Sequence, residues 1–123
     1  MITLHGRTRM TEKIEELMTR EEIPYGVIVN IRTDERIYIG DREKIKPDSL
    51  IKMCEDDMVS LYQSMEGQIL PQYWGQGNVK MLISIPQEDM MVLFFYYKRN
   101  DTHEEHHKGK MIDEEVKNLL QIG

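Results

Sequence analysis

The residues best able to do chemistry are three histidines in a strongly charged run. His103, His106 and His107 have the three and four residue spacing that places side chains on one side of a helix. Imidazoles arranged in this way can share a zinc or nickel ion. However, the HExxH order is absent, and the run ends in Lys108-Gly109-Lys110. These histidines are therefore metal-ligand candidates, with a charged helix start or a loop as the default expectation.

Cys54 is the only cysteine, and its surroundings favour packing over reactivity. It lies at helical spacing with Leu50 and Met58, where a small apolar residue belongs in a core. A reactive thiol needs a nearby base or a positive helix end, whereas the following Glu55-Asp56-Asp57 run should raise the pKa of the thiol. Consecutive helix positions point in different directions, so these acids do not converge on a ligand. A single cysteine excludes an intrachain disulfide, and we expect a cytoplasmic protein.

The Gly75-Gln76-Gly77 run lacks the properties of a phosphate loop. It has neither the full glycine spacing nor a following Lys-Ser/Thr pair, and a strand pattern follows it, so we interpret it as a turn. Tyr73 and Trp74 precede this turn on a strand. Aromatic residues on an edge strand are typical of protein interfaces, although burial within the monomer explains them equally well. No nucleophile, base and oxyanion group converge, so we expect neither enzymatic activity nor a cofactor.

Length and composition indicate one globular domain. The chain has 123 residues, 40% of them hydrophobic, which favours a single domain over 1–123 with residues 1–10 flexible or extended. No apolar run reaches the roughly 20 residues of a membrane span, and the first residues lack the apolar core of a signal peptide. The net charge of −6 argues against a nucleic-acid surface.

Apolar spacing predicts the elements of the first half of the chain. A short helix capped by Thr11 ends before Pro24, and two-residue alternation then predicts a hairpin of strands 25–31 and 36–40. A second helix is predicted from Pro47 to about residue 65, with Gly67 as its cap. Its apolar positions form a stripe and extend beyond it, which indicates a helix covered on two sides. The stripe consists of Leu50, Cys54, Met58, Leu61 and Met65.

Three strands and a helix are predicted for the second half. Residues 68–74 contain Pro71, which removes one ladder donor and favours an edge position. Residues 79–85 alternate, and the continuous apolar run 90–97 predicts a central strand covered on both faces. Residues 99–110 are a polar loop or the start of the last helix, which begins between Asp101 and Lys110.

The element order α-β-β-α-β-β-β-α predicts an α+β fold, with a five-stranded antiparallel sheet and helices on both faces. It resembles the roadblock/dynein light chain family from about Thr11 to Leu120. Residues 25–31, 37–40, 50–67 and 79–97 carry this resemblance. Profilin-like, longin and PAS-like domains share related element orders and remain competing assignments.

The resemblance implies a dimeric scaffold that engages a small GTPase or a motor or signalling complex. An exposed edge strand must be paired or blunted, so we expect a homodimer, or a heterodimer with a related domain, through the edge strand and the long helix. The candidate interface residues are Ile69, Tyr73, Trp74, Met58, Tyr62 and Met65.

The alternative from another class is a PAS-like or profilin-like domain that binds a ligand or a protein. Its pocket would lie between sheet and helix, although core packing explains the same residues. The residues proposed to line this pocket are Met81, Ile83, Phe94 and Tyr96.

Overall fold

The chain folds into a five-stranded antiparallel sheet between two helical layers, and the predicted α+β class is confirmed. The structure is a computed structural model that describes residues 9–98 and 102–120, without the side chains of residues 102 and 103. In order, the elements are α1 (Arg9–Arg20), β1 (Tyr25–Asn30), β2 (Glu35–Gly40), a short 3-10 helix (Arg42–Lys44), α2 (Ser49–Asp56), α3 (Met58–Ser64), β3 (Gln72–Gln76), β4 (Val79–Gln87), β5 (Met90–Tyr97) and α4 (Thr102–Leu120).

The sheet brings the first and last strands together at its centre. The strand order is β2-β1-β5-β4-β3, so β1 pairs with both β2 and β5, and every pairing is antiparallel. The apolar run of β5 lies between two neighbours and beneath helices on both faces, as its composition predicts. Within the described residues, β2 and β3 are the two edge strands.

Each face of the sheet has its own hydrophobic core. Ile28, Leu82 and Phe94 pack against α1 and α4. Val27 and Met81, from the alternate positions, pack against α2 and α3. The two-residue alternation of the strands therefore assigns each apolar side chain to one layer. Of the helices that the structure describes, none combines the length and the apolar content needed to cross a membrane.

The first helix begins earlier than predicted. We expected Thr11 to cap it, but α1 begins at Arg9 and the side chain of Thr11 is buried within the helix. The preceding residues 1–8 lie outside the described part of the chain. The apolar face of Ile14, Leu17 and Met18 is buried as expected.

The predicted helix from Pro47 to residue 65 is two helices. Asp57 has φ −154 and ψ 79, which ends α2, and its carboxylate accepts a hydrogen bond from the backbone N–H of Ser60 and so caps α3. Aspartate favours this role because its short side chain can bond to free N–H groups of the first helical turn. The apolar stripe continues across the break. Gly67 follows α3 with φ +77, which glycine adopts without strain.

The third strand is shifted along the sequence. We predicted residues 68–74 as the strand and Gly75 as part of a turn, but Pro71 precedes β3 and Gly75 lies within it. The turn is the two-residue Gly77-Asn78, with Gly77 at φ +60. β4 also runs further than predicted, to Gln87, through an irregularity in its pairing with β5.

The last helix, α4, begins at Thr102, so Gly109 lies in its interior. Of the two expected starts, Asp101 and Lys110, the earlier agrees better with this boundary. Asp101 itself lies outside the described residues.

Candidate functional site

The free edge of β3 is the feature most suited to binding another protein. β3 pairs with β4 on one side, and no described strand pairs with its other side. Gln76 and Val79 flank the two-residue turn and face each other across the hairpin. In a hairpin of this kind the flanking pair is hydrogen-bonded and alternate residues point their N–H and C=O groups outward. The backbone groups of Tyr73 and Gly75 therefore point to the open edge.

Tyr73 fixes β3 to α4. Its hydroxyl donates a hydrogen bond to the backbone carbonyl of His106 at 3.3 Å, and the two rings meet nearly edge-on with centroids 4.9 Å apart. The ring also lies against the backbone of Gly109. Burial, and then the negative charges of Glu105 and Asp113, raise the pKa of the Tyr73 hydroxyl, so it stays protonated and able to donate.

Trp74 faces the opposite layer. It is half-buried against the core beneath α2 and α3. With Leu50 and Met53 of α2 it lines an open cavity of about 460 Å³ beside the edge. The Ser49 hydroxyl donates a hydrogen bond to the Gln76 side-chain oxygen at 2.7 Å and ties the start of α2 to the end of β3.

The structure separates the predicted interface residues into accessible and buried groups. Ile69 is 85% exposed, and Tyr73 and Trp74 are half-buried at the edge. Met58, the first residue of α3, and Met65, which follows its last residue, are buried in the core of their own chain. Because they are buried, they cannot contact a partner chain directly and can only pack beneath the residues that do.

Tyr62 and Met53 have roles at this surface that the sequence did not predict. Tyr62 is half-buried, and its hydroxyl accepts a hydrogen bond from the backbone N–H of Asp89 at 2.8 Å, so it holds the turn between β4 and β5. Met53 was not among the predicted residues, yet it is 48% exposed beside β3. Its position off the stripe of α2 was the signal in the sequence that could have identified it.

The described residues of the histidine run do not form a metal site. In the part of the chain that the structure describes, no three His, Cys, Asp or Glu side chains gather closely enough to hold a metal ion. His106 lies against Tyr73, and His107 is the next residue on an exposed turn of α4. The side chain of His103 lies outside the described residues.

Cys54 is a packing residue, as predicted. Its sulfur lies 3.3 Å from the sulfur of Met81, and the residue is 2% exposed. Burial, with a smaller contribution from Glu55, raises the pKa of the thiol from 9.0 to about 12. The thiol is therefore protonated and inaccessible at neutral pH.

The residues predicted to line a ligand pocket do not lie together, so this part of the alternative hypothesis was wrong. Met81 and Ile83 belong to the core on the α2 and α3 side, whereas Phe94 and Tyr96 belong to the core on the α1 and α4 side. All four are buried. Because the sheet lies between the two pairs, these side chains cannot line one pocket.

Comparison with known proteins shows the fold. No family model matches the sequence, and no curated protein matches it. Among solved structures, Myxococcus xanthus MglB has a TM-score of 0.60 at 13% identity, covering 94% of this chain and 97% of that chain. A structure described as MglB with a tetrameric arrangement has a TM-score of 0.62 at 12% identity, covering 96% and 93% of the two chains. At this identity the likeness concerns the fold, and the predicted roadblock-like resemblance is confirmed at that level.

Proposed function

We propose that this chain is a non-enzymatic interaction module that dimerises through β3 and regulates a small GTPase. The observation that carries the proposal is that β3 is a free edge strand without a charged residue, Gln-Tyr-Trp-Gly-Gln. Open edges of this kind form hydrogen bonds with further strands unless they are blunted. The full-length likeness to MglB, for which a tetrameric arrangement is described, supports an assembling role.

The two edges of the sheet differ in the way this role requires. β2 carries Glu35 and Arg36, and the Arg36 guanidinium pairs with Asp34 at 3.0 Å. Charged side chains on an edge strand oppose pairing with another strand. We therefore assign dimerisation to β3 and not to β2.

A second copy of this chain is the partner that best matches β3. Two copies related by a two-fold axis can pair their β3 strands antiparallel and continue one sheet through both subunits. Met53 flanks the strand as an exposed apolar side chain, and such a side chain gains free energy when a partner covers it. The same pairing would cover the open side of Trp74.

A proline at Gly75 tests the pairing. Gly75→Pro removes an outward N–H donor, whereas Gly75→Ala keeps it. A Cβ at this position makes only ordinary contacts, 3.5 Å from the Lys80 side chain and 3.7 Å from the Val79 carbonyl oxygen. By light scattering, wild type and Gly75→Ala should have about twice the chain mass of 14.6 kDa, and Gly75→Pro should have the mass of one chain. Met53→Asp, on the flank, should weaken the dimer independently.

Circular dichroism establishes that each variant is folded. A folded Gly75→Pro protein that remains dimeric would contradict pairing through β3. A wild type that is monomeric at micromolar concentration would contradict dimerisation itself.

The proposed GTPase role rests on the roadblock-like fold and not on a catalytic site. Among the described residues, Cys54 is buried and His106 packs against Tyr73, so neither is placed to attack a substrate. The test uses purified small GTPases encoded in the source genome, each loaded with GDP or with a non-hydrolysable GTP analogue. We expect one of them to bind in only one nucleotide state, or to hydrolyse GTP at a changed rate. Failure of every GTPase in both assays would contradict the regulatory role and leave the dimer test unaffected.

A further inference from the structure

A cavity of about 440 Å³ lies between the start of β3 and the outer side of α4. One wall is the segment 69–73. The other consists of Lys80 from β4 with Glu105, His106 and Lys110 from α4. Cavities that hold small molecules have volumes of about 300–1,000 Å³, so this one is large enough for a ligand.

The charged groups of the cavity leave one positive charge unbalanced. Among the residues that the structure describes, neither Lys80 nor Lys110 forms an ion pair. Glu105 is 6% exposed and accepts a hydrogen bond from the Tyr96 hydroxyl at 3.3 Å. The lining thus carries two lysines, Lys80 and Lys110, and one carboxylate, Glu105. A singly charged anion would balance the site.

The positions of the basic groups follow from the fold. In the register of β3 and β4, Lys80 faces Gly75, and the Lys80 stem passes 3.5 Å from where a glycine Cβ would lie. The missing side chain lets this stem lie across β3 toward the cavity. His106 and Lys110 are four residues apart and so share one face of α4. His106 is also held against Tyr73.

The opposite wall is apolar. Ile69, Leu70 and Pro71 line it, and Ile69 is the most exposed of the large apolar side chains that the structure describes. An aliphatic group placed against this wall would remove apolar surface from water. The cavity thus offers a positive side and an apolar side to the same ligand.

We propose that this cavity binds a small monocarboxylate with a compact aliphatic body. The carboxylate lies between the Lys80 and Lys110 ammonium groups, and the aliphatic body lies against Ile69 and Pro71. This activity goes beyond the proposed scaffold role, since neither dimerisation nor GTPase binding requires a small ligand.

Hexanoate is the probe, measured by calorimetry and by NMR of the backbone amides. Hexanoate should bind saturably and shift the amide signals of Lys80, His106 and Lys110. Hexylammonium, of the same length and opposite charge, and hexanedioate, with two charges, should each bind at least tenfold more weakly. Inorganic phosphate, which lacks an aliphatic body, should also bind more weakly.

Matched variants locate the site. Lys80→Gln with Lys110→Gln should weaken hexanoate binding at least tenfold. Lys13→Gln, which removes an exposed lysine of α1, should leave it unchanged. Ile69→Ser keeps both charges and should weaken binding of hexanoate while leaving acetate unaffected. The proposal is overturned if hexanoate and hexylammonium bind equally, if binding does not saturate, or if the folded double lysine variant binds hexanoate as well as wild type.

Discussion

Gly109 and Tyr73 are packed so closely that a Cβ added to the glycine would lie 1.8 Å from the tyrosine hydroxyl oxygen. This single relationship joins the last helix to the edge strand. It also explains why a residue that disfavours helices lies inside α4, since any side chain there would have to displace the Tyr73 ring.

Gly109→Ala should destabilise the protein, although alanine is the better helix former. The added methyl overpacks the contact with Tyr73, and we expect a loss of about 1–3 kcal/mol in the free energy of unfolding by urea denaturation. In a Tyr73→Ala background the obstruction is gone, so the same change should instead stabilise by about 1 kcal/mol. An effect of the same sign in both backgrounds would contradict the proposed steric cause.

Asp113→Ala should be one of the more damaging single changes in α4. The carboxylate accepts a hydrogen bond from the Ser84 hydroxyl at 2.5 Å and pairs with Lys117 at 2.9 Å, with its own side chain only 5% exposed. Removal leaves a buried hydroxyl without its acceptor and breaks the link between β4 and α4, which we expect to cost about 3 kcal/mol by urea denaturation.

The control for Asp113 is another carboxylate of the same helix. Glu115 forms two hydrogen bonds of 2.9 Å with Arg20, but both side chains are well exposed to solvent. Exposed ion pairs contribute little to stability. Glu115→Ala should therefore remain close to wild type, and an equal loss in the two variants would show that burial is not what makes Asp113 important.

Alkaline pH should destabilise the wild type through Cys54. Its folded-state pKa of about 12 exceeds the ordinary 9.0, so the unfolded state loses its proton first as pH rises. The stabilising contribution is complete below pH 9.0 and is lost between pH 9.0 and 12. Urea denaturation at pH 8 and pH 10 should show a decrease about 1.4 kcal/mol larger in wild type than in Cys54→Ala. Equal decreases in the two proteins would contradict it.

Asp57→Ala should lower the midpoint of thermal unfolding at neutral pH because α3 loses its cap. Hydrogen bonds from the Ser60 hydroxyl and backbone N–H hold the pKa of Asp57 below its usual 3.8. That contribution is present above pH 3.8 and is lost as pH falls through the folded-state pKa, so the difference from wild type should shrink in acid. Asp57→Asn retains a capping oxygen and should show less of this pH dependence; identical behaviour of the alanine and asparagine variants would rule out the cap.

Periodicity was enough to predict the layers of the fold. The alternation from Tyr25 to Ile31 and the apolar run from Met90 to Tyr97 predicted which strands are buried, but not which of the two cores each side chain of β4 and β5 joins. The helix break at Asp57 was missed because the apolar stripe has the same spacing on both sides of it. An aspartate that caps a helix cannot be distinguished in the sequence from one that is merely exposed to solvent.

The site was only partly predictable, because its geometry depends on contacts between distant residues. β3 is an edge strand as predicted, although Pro71, on which that prediction relied, precedes the strand instead of lying within it. Nothing in the sequence relates Tyr73 to Gly109, or Ser84 to Asp113, since each pair joins elements that are separated along the chain. The same limit applies to Lys80 and Lys110, which only the fold brings to one cavity.

The placement of β1 beside β5 has a consequence for synthesis. Residues 25–30 are made early, but their second neighbour, residues 90–97, leaves the ribosome only after about sixty more residues have been added. During that interval the backbone N–H and C=O groups on the β5 side of β1 have no partner strand, and other nascent chains could pair with them. At roughly 5–20 residues per second this interval lasts about 3–12 s, and the need for a chaperone should be greatest within it.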